Sequence, residues 1–111
     1  MPVVPEVTPT EFCARWPAAE RSARVVLLDV REHAELEAAA VAGALHIPMR
    51  EIPARLADLD RDTPLVVMCH SGGRSRRVAE YLLGNGFENV FNLRGGIDAW
   101  STEIDPQVPR Y

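Results

Sequence analysis

Leu65-Val66-Val67-Met68 is an apolar run, and Cys69-His70-Ser71-Gly72-Gly73-Arg74-Ser75 follows it directly. The run has no polar alternation, which is the pattern of a strand buried on both faces in a parallel sheet. Gly72-Gly73 reads as a turn. Ser75 to Leu83 reads as a helix with Val78, Tyr81 and Leu82 on one side, stopped by Gly84 to Gly86. A buried strand, a glycine loop and a helix in that order form the unit of an α/β sheet. The loop then lies at the carboxyl end of the strand, where such sheets bind ligands.

The flanking sequence repeats the alternation. Val25-Val26-Leu27-Leu28-Asp29 is a second non-alternating run, and Glu32 to Ala40 favours helix. Ala44-Leu45-His46-Ile47 is a short strand stopped by Pro48, and a helix is expected near Arg50 to Leu59. Asn89 to Leu93 is a last short strand, and Gly95-Gly96 leads into a small helix through Trp100. At the amino end Thr8 is a helix N-cap, Pro9 takes the first helical position and Glu11 closes a capping box. Phe12 and Trp16 would be the buried face of that helix, and Pro17 ends it. No repeat, linker or low-complexity stretch interrupts the chain. Residues 1–111 are expected to form one α/β domain with a mainly parallel sheet.

The formal charge is −4, from 12 basic and 16 acidic residues, and every basic residue is Arg. Without Lys there is no Schiff-base lysine, lysine base or P-loop lysine. The negative balance argues against nucleic acid as the main partner. Apolar runs such as Val25 to Leu28 are far too short to span a membrane, and Met1 to Glu6 show no signal segment. Cys13 and Cys69 form neither a CxxC nor a metal spacing with His33, His46 or His70, so neither metal nor cofactor is expected. The lack of a disulfide framework suits the cytoplasm.

Cys69 carries the chemistry. A free thiol with pKa ~8.5 is only slightly ionised near neutral pH. The helix dipole, worth roughly 0.3–1 kcal/mol, lowers that by less than one unit. Converging loop N–H groups and Arg74 must supply the rest. Residues 63–79 contain no acid but hold Arg74, Arg76 and Arg77, a locally basic stretch suited to a small anion.

Leu28-Asp29-Val30-Arg31-Glu32, the segment from Cys69 to Ser75, Gly86-Phe87-Glu88-Asn89-Val90 and Gly95-Gly96-Ile97-Asp98-Ala99-Trp100 together resemble a single-domain rhodanese, or thiosulfate sulfurtransferase. The resemblance implies a three-layer fold with a five-stranded, mainly parallel sheet between helices. It implies that Cys69 is the catalytic nucleophile, taking a sulfane sulfur from a small anionic donor as a persulfide and passing it to a thiol or cyanide. His70, Ser71, Gly72, Gly73 and Arg74 complete the family's six-residue loop and would bind substrate with Ser75, Arg74 being the donor's anchor. Asp29 and Arg31 match the strand-end pair that braces the loop. His70 stands where many members have Arg, and Ala39 to Ala44 replace the family's usual Gly-His-Ile-Pro-Gly-Ala. The tail through Ile104-Asp105-Pro106 and Val108 to Tyr111 is similar to rhodanese domains that work beside adenylating enzymes, which suggests a sulfur-relay protein as partner.

Two other readings stand beside this one. Phosphatases and arsenate reductases of the same fold need five residues between Cys and Arg, whereas four separate Cys69 from Arg74. A docking or relay module that presents sulfur for a protein partner, such as a cysteine desulfurase, would also keep Cys69. Other residues have plain structural readings. Arg76 and Arg77 can pair with Glu80 on a solvated face, and Ser71 and Ser75 can shape the loop and cap the helix. Cys13, Trp16 and Trp100 pack, His33 is a surface residue and His46 is half-buried. Asp58, Asp60 and Asp62 form a solvated loop.

Overall fold

A computed structural model describes residues 3–111. Met1 and Pro2, part of the stretch that shows no signal segment, lie outside the described residues. The five strands are β1 (Glu6–Val7), β2 (Val26–Asp29), β3 (Leu45–His46), β4 (Leu65–Met68) and β5 (Val90–Leu93). The helices are α1 (Pro9–Arg15), α2 (Arg21–Arg24), α3 (His33–Ala38), α4 (Gly73–Gly84) and α5 (Gly96–Glu103). The sheet order is β1-β5-β4-β2-β3, and every pairing is parallel. The two apolar runs lie side by side at its centre, with Val26 opposite Leu65 and Asp29 opposite Met68.

Alternate residues of these strands point to opposite faces. Leu28, Leu65, Val67 and Cys69 face one core with Val78, Ala79 and Leu82 of α4. Leu27, Val66 and Met68 face the other with Phe12, Trp16, Ile97 and Trp100. All four residues of β4 are buried, as a strand covered on both faces must be. This is the expected three-layer arrangement.

The capping box of α1 forms as expected. The Glu11 N–H donates to Thr8 Oγ1 at 3.1 Å, and the Thr8 N–H donates to Glu11 Oε1 at 2.8 Å. Two expectations need correction. The helix near 50–59 is a pair of 3-10 turns, Met49–Glu51 and Pro53–Asp58, with a kink at Arg55. Pro53 lacks the N–H that a continuous α-helix would need. Tyr81 does not join Val78 and Leu82 in the core but is 40 % exposed beside a groove with Met49, Ile52 and Pro53; Ala79 fills the core position. Two short elements, β1 and α2, have no counterpart in the sequence pattern. Two residues cannot show a period, and β1 exists because Asn92 and Arg94 donate their N–H groups to Pro5 and Val7.

Candidate active site

Cys69 leaves β4 at its carboxyl end and is buried. The loop after it turns its carbonyls away from the sulfur. The Cys69 carbonyl accepts the Ile97 N–H at 2.9 Å, and the His70 carbonyl accepts the Asp98 N–H at 3.1 Å. The Gly72 carbonyl accepts the Arg76 N–H at 3.1 Å and Asn92 Nδ2 at 3.2 Å. With those acceptors tied back, the loop N–H groups are free to converge on Sγ. The Gly72 N–H lies 3.1 Å from it. Gly72 has φ +115°, outside the range of L side chains, and that inversion starts α4 under the sulfur.

The Ser75 hydroxyl lies 3.3 Å from Cys69 Sγ and 2.5 Å from Asn92 Oδ1. It has one proton to donate. Beside a neutral thiol, the hydroxyl donates to Asn92 and accepts from S–H. Beside a thiolate, it rotates and donates to sulfur. Asn92 is held for this exchange by Nδ2, which donates to Glu6 Oε2 at 3.0 Å and to Gly72 O. Burial pushes the Cys69 thiol up, yet the Ser75 hydroxyl and the N–H groups of Ser75, Gly72 and Ser71 outweigh it, and the net shift is downward. Ser75→Ala should therefore raise the pH midpoint of Cys69 alkylation by about one unit. An unmoved midpoint would mean that the backbone alone sets the thiolate.

The rim of the loop differs from its sequence reading. Arg74 makes a bidentate pair with Glu35, at 2.6 Å and 2.8 Å. The pairing with Arg74 holds the Glu35 carboxyl down at about 2 and raises the Arg74 guanidinium. The stretch 63–79 is free of acid in sequence, but α3 delivers one in space. Tyr111 joins the same group. Its hydroxyl donates to Glu35 Oε2 at 2.7 Å and accepts from Arg31 Nη1 at 2.9 Å. Its ring stacks on His70, with centroids 4.2 Å apart and planes at 14°. The tail reaches this point because Ser101 Oγ donates to the Val108 carbonyl and Arg110 pairs with Asp98.

Asp29 and Arg31 form a buried ion pair at 2.7 Å. Among the described residues neither side chain hydrogen-bonds to the cysteine loop. Arg31 instead bonds the Tyr111 hydroxyl and the Glu35 carbonyl, and the Glu35 side chain pairs with Arg74. Ser71 and Gly73 are exposed on the loop, and Ser75 is buried under it. Ser75 does not cap α4, whose N-cap is Gly72. Arg76 and Arg77 are exposed, and neither pairs with Glu80 within 4 Å among the described residues.

Among the described residues no group of three His, Cys, Asp or Glu is placed to hold a metal ion, and no helix is long and apolar enough to cross a membrane. His33 and His46 pack edge to face at 4.7 Å, with His46 Nε2 bonded to the Arg31 carbonyl. Cys13 lies half-buried on α1 beside Arg21.

Three site residues escape a reading of the loop alone: Glu35, Asn92 and Tyr111. Asn92 carries a signal, since an amide inside an otherwise apolar strand needs a buried partner. Glu35 lies three residues after Glu32 in a second capping box, which reads as helix chemistry. Tyr111 gives no local signal.

Comparison with known proteins bears on the family of the fold. A 42 % identical relative, over 76 % of this chain and 78 % of its own length, is named sulfurtransferase, from Allochromatium vinosum. The thiosulfate sulfurtransferase GlpE of Tolumonas auensis is 37 % identical over 68 % of this chain and 72 % of its own. The crystal structure of a rhodanese-like domain protein from Staphylococcus aureus superposes with a TM-score of 0.78 at 30 % identity, covering 87 % of this chain and 91 % of that one. The family model for the rhodanese-like domain matches residues 16–103. A parallel sheet that ends in a cysteine loop, and a match over most of its length, place this chain in the rhodanese-like domain family.

Proposed function

We propose that residues 1–111 form a single rhodanese domain that works as a sulfurtransferase through a persulfide on Cys69. The observation that carries this is the sulfur's surroundings. Sγ faces the Gly72 N–H and the Ser75 hydroxyl, while the carbonyls of Cys69, His70 and Gly72 are bonded elsewhere. Such a cradle stabilises one negative charge on sulfur, first on the thiolate and then on the outer atom of a persulfide. The names of the relatives support the same reading.

The Cys69 thiolate attacks the outer sulfur of a small anionic donor such as thiosulfate. The new S–S bond forms as the donor's S–S bond breaks, and sulfite leaves with the electron pair. A thiol or cyanide then attacks the terminal sulfur of the Cys69 persulfide. It departs as a persulfide or as thiocyanate, and the thiolate returns. Neither step needs a metal, a cofactor or a proton from His70. The ring from Cys69 to Arg74 has four residues between its ends, which favours one sulfur atom over a phosphoryl group. Two unpaired thiols, Cys13 and Cys69, favour a cytoplasmic setting.

Incubation with thiosulfate should add one sulfur atom to the intact mass. Peptide mapping should place it on Cys69 and not on Cys13, and cyanide should remove it. No mass gain with any sulfane-sulfur donor, or sulfur on Cys13 alone, would sink the assignment. Turnover of an aryl phosphate would point to the phosphatase reading.

A further inference from the structure

The arginines whose side chains gather around Tyr111 and the loop's Arg74 end are already paired. Arg31 is held by Asp29, Arg74 by Glu35 and Arg110 by Asp98. The Arg74 pair is bidentate, and its carboxylate is fully engaged. Glu35 accepts two bonds from Arg74, one from the Glu32 N–H at 3.0 Å and one from the Tyr111 hydroxyl. Its side chain is only 20 % exposed. Arg74 therefore brings a neutral pair to the mouth, and what remains for an anion is the N–H cradle. That cradle suits a single charge on sulfur. A dianion must bring its second charge up against the Glu35 carboxylate, and like charges in close contact repel. The stacked rings of His70 and Tyr111 give the mouth a flat, weakly polar wall. A carbon-bearing donor can cover that wall, whereas the oxygens of thiosulfate cannot use it.

We propose that Glu35, held in place by Tyr111, is a specificity-determining residue that turns the site from dianionic thiosulfate toward singly charged organic persulfides, R–S–S⁻. This rests on the sulfurtransferase reading above and names its donor class. The step balances. The Cys69 thiolate attacks the outer sulfur of R–S–S⁻, the donor's S–S bond breaks, and R–S⁻ leaves with the electron pair. Cys69 then carries the persulfide and its single charge. A free thiol's persulfide and one carried on a protein cysteine share this chemistry.

The test is a double-substitution cycle on the full chain. It compares kcat/KM for thiosulfate and for cysteine persulfide in wild type, Glu35→Gln, Arg74→Gln and the double variant. Glu35→Gln should shift the thiosulfate-to-persulfide ratio toward thiosulfate by about tenfold, the scale of one charge beside a dianion in a wet site. Adding Arg74→Gln should cancel that gain. Tyr111→Phe, which keeps the ring, should shift the ratio the same way by a smaller factor. A persulfidated cysteine desulfurase as a third donor identifies the source. Transfer faster than from cysteine persulfide favours a protein carrier, and slower transfer favours a small thiol. An unmoved ratio in both Glu35→Gln and Tyr111→Phe would overturn the proposal. If neither donor loads wild-type Cys69, the sulfurtransferase reading itself fails; loading by both with no shift in ratio removes only the role of Glu35.

Discussion

Gly96→Ala is expected to lose about 3–5 kcal/mol of unfolding free energy and, with it, the depressed pKa of Cys69. Gly96 opens α5 with φ +59°, in the left-handed region, and is buried. A Cβ there would collide with the carbonyl oxygens of Cys69 and His70, which are backbone atoms and cannot rotate aside. Relief requires α5 and the loop to separate. That would break the bonds from the Ile97 and Asp98 N–H groups to those same carbonyls. The freed carbonyls could then swing toward the sulfur and undo the cradle. Left-handed strain contributes about 1–2 kcal/mol, and the displaced contacts and two hydrogen bonds account for the remainder. Gly84→Ala is the control. Gly84 lies in α4 with nothing within 4 Å of a new Cβ and no positive φ, so alanine there should cost nothing and can stabilise by about 0.5–1 kcal/mol. Urea unfolding and the pH profile of Cys69 alkylation check both parts. A Gly96→Ala protein that stays within about 1 kcal/mol of wild type and keeps the low midpoint would show that α5 does not orient the loop.

This dependence explains what the sequence could and could not convey. The apolar runs at 25–29 and 65–68 carry no alternation, and a strand without alternation must be covered on both faces. That was enough to place a parallel sheet and to put Cys69 at its carboxyl end. The capping box at Thr8 to Glu11 is equally local and equally legible. The 3-10 turns at 49–58 were not, because apolar spacing there fits either helix type and Pro53 decides between them. The electrostatics of the site were the least legible. The acid-free stretch from 63 to 79 suggested an open basic loop with Arg74 waiting for a donor. The residues that change this come from α3 and from the tail, 39 and 37 positions away from Arg74. Charge in sequence is a sum along a line, whereas the field at Cys69 is a sum over neighbours in space. Asn92 falls between these cases. Its place inside a buried strand marks it as needing a partner, but only the fold shows that the partner is Ser75 and, through it, the sulfur.

The other large effect is expected at Arg31. Its side chain and that of Asp29 are 0 % and 1 % exposed. Nε donates to Asp29 Oδ1 at 2.9 Å, and Nη2 donates to Asp29 Oδ2 at 2.7 Å and to the Ala39 carbonyl at 2.9 Å. Nη1 reaches the Glu35 carbonyl and the Tyr111 hydroxyl. One guanidinium thus fastens the end of β2 to α3 and to the tail. Arg31→Met fills much of the space but strands the Asp29 carboxylate in the core, which should cost about 3–5 kcal/mol. Arg31→Lys should recover little of this, because an ammonium cannot bridge both carboxylate oxygens and three further acceptors from one plane. The double variant Asp29→Leu with Arg31→Met removes the stranded charge and should regain part of the loss. Its remaining deficit measures the Ala39 and Glu35 carbonyls and the Tyr111 hydroxyl that have lost their donor. Urea unfolding of the three variants separates these contributions. A double variant no more stable than Arg31→Met would mean that the pair's charge is not what makes the single change costly. The same comparison bears on the mouth of the site. Losing Arg31 releases one of the two hydrogen bonds of the Tyr111 hydroxyl, so donor selectivity in the double variant should move in the direction expected of Tyr111→Phe.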